Sequence, residues 1–368
     1  MNINSYMPVR IISGENCISK NKNVFTEFGK KCLIVTGGSS AKKSGAFDDV
    51  VTALNEKNIQ YSVFDGITQN PYTDDCYKAA VIARNNGAEF VIGIGGGSSL
   101  DAAKAVAIYS TNPDIASSQI YDMTHKNKPL PLILVGTTAG TGSEVTGVSV
   151  LTNSENGMKK SISGADCYSA VSFCDYRYTF SVPYAVTVST ALDAFAHATE
   201  SYFSSTANEL SDIYAEKAFE LLKEPLFYLC KNKSLSDEKM RENLYKASIY
   251  AGLCLNITGT CFPHTMSYIL TEDYNVPHGK ACAVFTPDLI LIAEKYLNNK
   301  CVKMCAIMDT NINELIHTIK ELADVDISIS DKALKKYSNR WTDPQKNFSR
   351  TPGEFTTKSA VEILKRYN

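Results

Sequence analysis

Phe90-Val-Ile-Gly-Ile94 runs straight into Gly95-Gly96-Gly97-Ser98-Ser99 and then into Leu100-Asp101-Ala-Ala-Lys104. An apolar run, a glycine-serine turn and a helical stretch over 100–109 follow without a break. Strand, loop and helix in that order are the unit from which parallel sheets are built. Glycine lets backbone approach a pyrophosphate closely, and a helix start offers free N–H groups and a positive dipole end. A tight turn with no ligand is the plainer alternative, but three glycines and two serines exceed what a turn needs. The pattern is not G-x-G-x-x-G, so an ordinary Rossmann reading does not apply.

The same alternation extends on both sides. Lys31–Thr36 reads as a strand, followed by Gly37-Gly38-Ser39-Ser40 and a helix over 46–57. A strand at 60–64, a helix at 71–86 and a strand at 130–135 continue the pattern, and 147–175 is β-rich with a turn at Asn153–Gly157. Beyond Pro183 the periodicity becomes helical, at 186–204, 207–231, 236–256, 285–309 and 311–323. The chain therefore reads as an α/β dinucleotide-binding domain with a parallel sheet, residues 1–182, and an all-α domain, residues 183–368.

Two more loops suit a nucleotide. Thr137-Thr138-Ala-Gly140-Thr141-Gly142-Ser143-Glu144 follows the strand at 130–135 with small residues and hydroxyls, although a plain polar loop has the same composition. Gly37-Gly38-Ser39-Ser40-Ala-Lys42-Lys43 carries no acid to repel a 2′-phosphate and two lysines to attract one. The expectation is NADP(H) over NAD(H), with a solvated basic turn as the alternative.

The helical half carries Asp193-Ala-Phe-Ala-His197. Residues four apart share a helix face, so a carboxylate and an imidazole stack one turn apart. Asp-x-x-x-His is also a common surface pair. His264, after Pro263, and His278, after Pro277, occupy loop or helix-edge positions, where a histidine is often only solvated. Together the four make a nitrogen and oxygen set suited to Fe(II), Zn(II), Ni(II) or Co(II) rather than to calcium or magnesium. Of five histidines in the chain, three fall in this set.

Composition excludes other classes. At 368 residues the chain exceeds one ordinary core. A net charge of −2 gives no electrostatic footprint for nucleic acid or an anionic membrane. Eleven cysteines without a C-x-x-C pair read as reduced thiols, which points to the cytoplasm. The opening Met-Asn-Ile-Asn-Ser-Tyr-Met-Pro lacks the pattern of a leader, and no apolar run is long enough to span a bilayer.

With these motifs in this order, from Leu33 to about Pro287, the chain resembles the iron-dependent (group III) alcohol dehydrogenases. The carriers are Gly95–Lys104, Thr137–Glu144, Asp193–Glu200, and Pro263-His264 through Pro277-His278-Gly279. The resemblance implies a dehydroquinate synthase-like architecture with a cleft between its domains. It implies NAD(P)H-linked hydride transfer to a small aldehyde, or from a primary alcohol, at a metal held by Asp193, His197, His264 and His278. Iron is typical and zinc is sometimes found. Gly96, Gly97, Ser98, Asp101, Thr137, Thr138 and Ser143 become cofactor contacts, with Lys160 a further one, and the Gly37-Gly38-Ser39-Ser40 loop is similar to that of NADP-using members. A homodimer or larger assembly is implied as well.

One position departs from the family. Many members carry a second histidine four residues after the third ligand; here it is Tyr268, which donates a hydrogen bond but holds no positive charge. That change resembles a subset that includes reductases of phosphonoacetaldehyde and sulfoacetaldehyde. His125, Lys280, Arg340 and Arg350 are the candidate partners for such an anion. A dehydroquinate synthase-like lyase and a non-catalytic nucleotide- or metal-binding module are the competing readings.

Overall fold

The computed structural model describes residue 3, residues 5–235 and residues 237–368. Met1, Asn2 and Asn4, part of the opening read above for a leader, lie outside the described residues. So does Ser236, where a helix was expected to begin. The chain divides into two compact units, Met7–Val182 and Pro183–Asn368, the latter with the described residues before Met7.

The first unit is α/β. Its strands are β1 (Arg10–Ser13), β2 (Lys31–Thr36), β3 (Gln60–Phe64), β4 (Phe90–Gly95), β5 (Leu132–Gly136), β6 (Val148–Thr152), β7 (Lys159–Ser163) and β8 (Val171–Cys174). Its helices are α1 (Cys17–Lys20), α2 (Ser40–Lys43), α3 (Ala46–Glu56), α4 (Thr73–Asn85) and α5 (Gly97–Thr111). Six strands form one parallel sheet in the order β1-β8-β5-β4-β2-β3, and β6 and β7 form a separate antiparallel hairpin. Parallel strands are covered on both faces, and β2 shows this directly. Leu33 and Val35 pack with α4 and α5, while Cys32 and Ile34 pack on the other face with α1 and α3. The chain leaves β2 toward β3 on one side and returns to β4 on the other. Ligands of open α/β sheets bind beyond the carboxyl ends of strands at such a reversal.

Several boundaries differ from those read in the sequence, each for a local reason. The strand expected from residue 130 begins at Leu132, because Pro131 has no N–H to give a ladder; its carbonyl accepts from Val91 N (2.9 Å). Helix α5 begins at Gly97, three residues early, since a first turn needs no upstream partners for its N–H groups. The short edge strand β1 carried no readable pattern.

Residues of α5 also hold the hairpin. Lys104 is fully buried and donates to Ser143 Oγ (2.8 Å), Thr146 O (3.1 Å) and Val148 O (2.6 Å). Ser143 in turn donates to Asp101 Oδ1 (2.5 Å), and Val150 N donates to Asp101 Oδ2 (2.8 Å). Burial pushes the Lys104 ammonium down and the Asp101 carboxyl up, and each charge pulls the other back.

The second unit is helical, with no strand among its described residues. It contains α6 (Tyr184–Phe203), α7 (Glu209–Asn232), α8 (Glu238–Thr258), α9 (Phe262–Asp273), α10 (His278–Tyr296), α11 (Asn298–Met308), α12 (Ile312–Ala323), α13 (Asp331–Ser338), α14 (Lys346–Ser349) and α15 (Thr357–Leu364). The helix expected over 285–309 is two helices that meet at Leu297, whose φ of −135° and ψ of 40° are not helical. None of the described helices is long and apolar enough to cross a membrane.

Removing one partner of a buried ion pair strands the other charge, at about 3–5 kcal/mol. Lys104→Met should therefore lower stability by about that much. The check is a lower urea midpoint for the variant than for the parent chain.

Candidate active site

The helical unit brings the four metal candidates together. Asp193 and His197 sit mid-way along α6, on its buried side. Pro263 presets the first turn of α9, so His264 is helical rather than in a loop. Pro277 caps α10 and His278 is its first residue. Asp193 Oδ1 lies 3.5 Å from His264 Nε2, 3.8 Å from His197 Nε2 and 3.8 Å from His278 Nε2. Two ligands about 2.1 Å from one ion at a tetrahedral angle stand about 3.4 Å apart, so these separations suit one shared cation.

Helix packing makes the approach possible. A Cβ on Gly279 would fall 1.7 Å from Ser189 O and 3.0 Å from Asp193 Cβ. Only glycine lets the first turn of α10 rest on the backbone of α6, which carries His278 to Asp193.

The polar atoms fit a metal. Asp193 Oδ1 and His264 Nε2 are buried without a hydrogen-bond partner among the described residues. Such orphans are costly unless a charge or ion faces them. Burial pushes the Asp193 carboxyl up, but His197, His264 and His278 outweigh it and hold it well below the usual carboxylate range. The donors are imidazole and carboxylate, the set for iron, zinc, nickel or cobalt.

Glu200 closes the Asp193–Glu200 motif and carries no role from its residue type alone. It is fully buried; Oε1 pairs with His264 Nδ1, and Oε2 accepts the Cys261 N–H (2.7 Å). With Nδ1 turned to a carboxylate, the tautomer leaves the Nε2 lone pair for a metal. The signal available was its position seven residues, two helical turns, after Asp193. Tyr268 lies one turn beyond His264 on α9, its ring parallel to His278 (centroids 6.0 Å, 18°).

In the α/β unit three loops converge at the sheet reversal. Thr36 Oγ1 donates to Ile94 O (2.8 Å), and Thr137 N donates to Gly95 O (2.9 Å). A Cβ on Gly97 would lie 2.6 Å from Thr141 Cγ2, and one on Gly37 would lie 3.3 Å from Ser99 Oγ. Gly96 precedes α5 without a side-chain cap, and in the first turn Ser99 N donates back to Gly96 O (3.0 Å). Gly37, Gly38, Ser39, Ser40, Gly96, Gly97, Ser98, Thr137 and Thr138 thus share the carboxyl end of the sheet, beyond β2, β4 and β5. Asp101 and Ser143 stand beside them, but their polar atoms already serve the Lys104 network. Lys160 is on β7, exposed, with Nζ 5.1 Å from the centre of the Tyr121 ring. It borders an open cavity of about 380 Å³ lined also by Gln119, Asn153 and Lys159. The structure adds an acid that sequence order hid: Asp65, just after β3, whose backbone carbonyl accepts the Gly38 N–H (3.1 Å).

Three of the four candidate anion partners are engaged elsewhere. His125 pairs with Asp166 (2.8 Å), Arg340 pairs with Glu272 (2.8 Å), and Arg350 donates to Asn347 Oδ1 (3.2 Å). Lys280 is half-buried two residues after His278, and residues two apart on a helix do not share a face.

Residues 8–176 match the family model described as iron-containing alcohol dehydrogenase, and residues 187–341 match that of the Fe-containing alcohol dehydrogenase family, C-terminal. The chain belongs to the iron-containing alcohol dehydrogenase family. A 1,3-propanediol dehydrogenase of Klebsiella pneumoniae is 33% identical over 80% of this chain and 76% of its own length. An NADPH-dependent butanol dehydrogenase of Clostridium saccharobutylicum is 29% identical over 86% of this chain and 82% of its own. Among solved structures, an iron-containing alcohol dehydrogenase of Thermotoga maritima matches with a TM-score of 0.90 at 33% identity, covering 98% of both chains. A sulfoacetaldehyde reductase of Bifidobacterium kashiwanohense in complex with NAD+ matches with a TM-score of 0.88 at 25% identity, covering 100% of this chain and 99% of its own. The protein is a metal-dependent, nicotinamide-linked oxidoreductase of alcohols and aldehydes, and the lyase and non-catalytic readings are not favoured.

Loss of an outer carboxylate partner lowers metal affinity about 10–100-fold. Glu200→Gln should show a drop of that size in competition with a chromophoric chelator, with the far-ultraviolet circular dichroism unchanged.

Proposed function

We propose that residues 7–182 bind NADP(H) through the loops at 37–40, 95–99 and 137–141. In the same reading residues 183–368 hold Fe(II), with Zn(II) the alternative, through Asp193, His197, His264 and His278. The reaction is reversible reduction of a small neutral aldehyde: aldehyde, NADPH and a proton become primary alcohol and NADP+. The observation that carries the reading is one buried carboxylate oxygen within 3.8 Å of three imidazole nitrogens.

When bound, the metal supplies Lewis-acid polarisation of a carbonyl and the reduced nicotinamide supplies hydride. The chain's own residues do the rest. Asp193 and the three histidines set one anchoring point, and Glu200 keeps His264 in the tautomer that serves it. The Tyr268 ring lies parallel to that of His278 (centroids 6.0 Å), and its hydroxyl, a bound water or a cofactor ribose hydroxyl supplies the proton an alcohol oxygen must gain. Backbone N–H groups at the start of α5 receive the pyrophosphate, and Asp101, Lys104 and Ser143 brace the loop beside it. The engaged state of His125, Arg340 and Arg350 favours a neutral substrate over a sulfonate or phosphonate. Assembly as a homodimer and a cytoplasmic location belong to the same reading; they rest on the family resemblance and on the eleven free cysteines.

The test is anaerobic, with the Fe(II)-loaded protein, NADPH or NADH, and acetaldehyde, butanal, sulfoacetaldehyde and phosphonoacetaldehyde. Turnover of the neutral aldehydes is expected, and His264→Ala and His278→Ala should each abolish it. Turnover confined to the anionic aldehydes overturns the substrate assignment. Intact turnover in both alanine variants overturns the site.

Ser39, Ser40 and Lys43 are exposed at the 2′-phosphate position expected for NADP. One charge-assisted contact is worth about 1.5–3 kcal/mol, or roughly tenfold and more in affinity. NADPH should therefore exceed NADH in kcat/KM by at least about tenfold, and Lys43→Glu should erase most of that margin. Equal kcat/KM for the two cofactors contradicts the preference.

A further inference from the structure

Cys282 lies one turn after His278 on the same face of α10 and is fully buried. Its Sγ is 3.9 Å from His278 Nε2 and 4.0 Å from His278 Nδ1. Other buried thiols of this unit turn to backbone carbonyls: Cys254 to Ala251 O (3.1 Å) and Cys261 to Glu200 O (3.4 Å). Cys282 turns to imidazoles instead. The compact set of donor atoms that all lie within 4.8 Å of one another comprises Asp193, His264, His278 and Cys282. His197 lies outside that set, with its ring stacked on His264 at 4.5 Å. Two buried atoms without a hydrogen-bond partner, Asp193 Oδ1 and His264 Nε2, belong to the same set as the sulfur.

We propose that Cys282 is a further ligand of the metal, so that the centre is a mixed nitrogen, oxygen and sulfur site. This rests on the metal reading above and goes beyond its four ligands. A nitrogen ligand at about 2.1 Å and a sulfur at about 2.3 Å, at a tetrahedral angle, stand about 3.6 Å apart. The observed separation of 3.9 Å needs only a small closure of two side chains on one helix face. On binding, the S–H bond breaks, a sulfur–metal bond forms, and one proton leaves to solvent. A thiolate softens the site, favours Zn(II) and Co(II), and disfavours Mg(II) and Mn(II).

The experiment uses the full chain, stripped of metal and reloaded anaerobically with Co(II) or Zn(II). Cobalt content, visible ligand-field bands and near-ultraviolet sulfur-to-cobalt charge transfer are recorded for the parent protein and for Cys282→Ser. Expected are bound cobalt with a charge-transfer band in the parent, and loss of that band with retained ligand-field bands in the variant. Cobalt affinity of the variant should also fall by at least the roughly tenfold that loss of an outer-shell partner costs. Zinc-edge X-ray absorption of the parent, which depends on no variant, should show one sulfur at about 2.3 Å. Cobalt bound without the charge-transfer band, a band that survives Cys282→Ser, or a zinc shell with no sulfur overturns the assignment and leaves the four-ligand reading standing. Absence of any metal uptake overturns both.

Discussion

A carboxylate with almost no access to water governs the helical unit. Asp193 sits mid-way along α6, 3% exposed, where a lone charge would be expelled or neutralised. It stays ionised because imidazoles from three helices surround it. That demand fits the proline immediately before each histidine, Pro263 in the first turn of α9 and Pro277 at the cap of α10, which sets each ring at a helix start. It also explains Gly279, whose missing side chain lets α10 touch the α6 backbone. Glu200, two turns along the same helix, balances the cluster from behind by holding His264 and the Cys261 amide.

The α/β unit solves a related problem with opposite signs. Lys104 points into the core from α5 and finds three oxygens and a carboxylate, so its charge becomes a brace between helix, loop and hairpin. Above that brace Gly96 and Gly97 leave no room for a side chain against Thr138 and Thr141 of the neighbouring loop. A braced base beneath a helix start is what a phosphate needs. Asp101 and Ser143, expected as contacts for the cofactor, also take part in this support.

Much of the architecture was legible because its signals are local. Apolar runs of strand length alternating with helical periodicity specify a parallel sheet, and the change of period beyond Pro183 marks where strands end. The misreadings were local as well. Pro131 shortened β5, Gly97 joined α5, Leu297 split one helix into two, and β1 was too short to show a pattern. His264 read as a loop-edge residue because proline marks both a break and a first helical turn, and only the structure chose between them.

By itself the sequence determined the family and the alternation of strands and helices, and it singled out Asp193, His197, His264 and His278, since Asp-x-x-x-His, Pro-His and Gly-Gly-Gly-Ser-Ser are contiguous patterns. Tertiary structure alone decided which partners those residues keep. Glu200 faces His264 across 64 positions, Asp65 reaches Gly38 from just after the neighbouring strand, and Cys282 comes within 4.8 Å of Asp193 across 89. Such pairings depend on helix crossing and strand order, which arise when apolar faces are buried together and leave no mark at any one position in the chain.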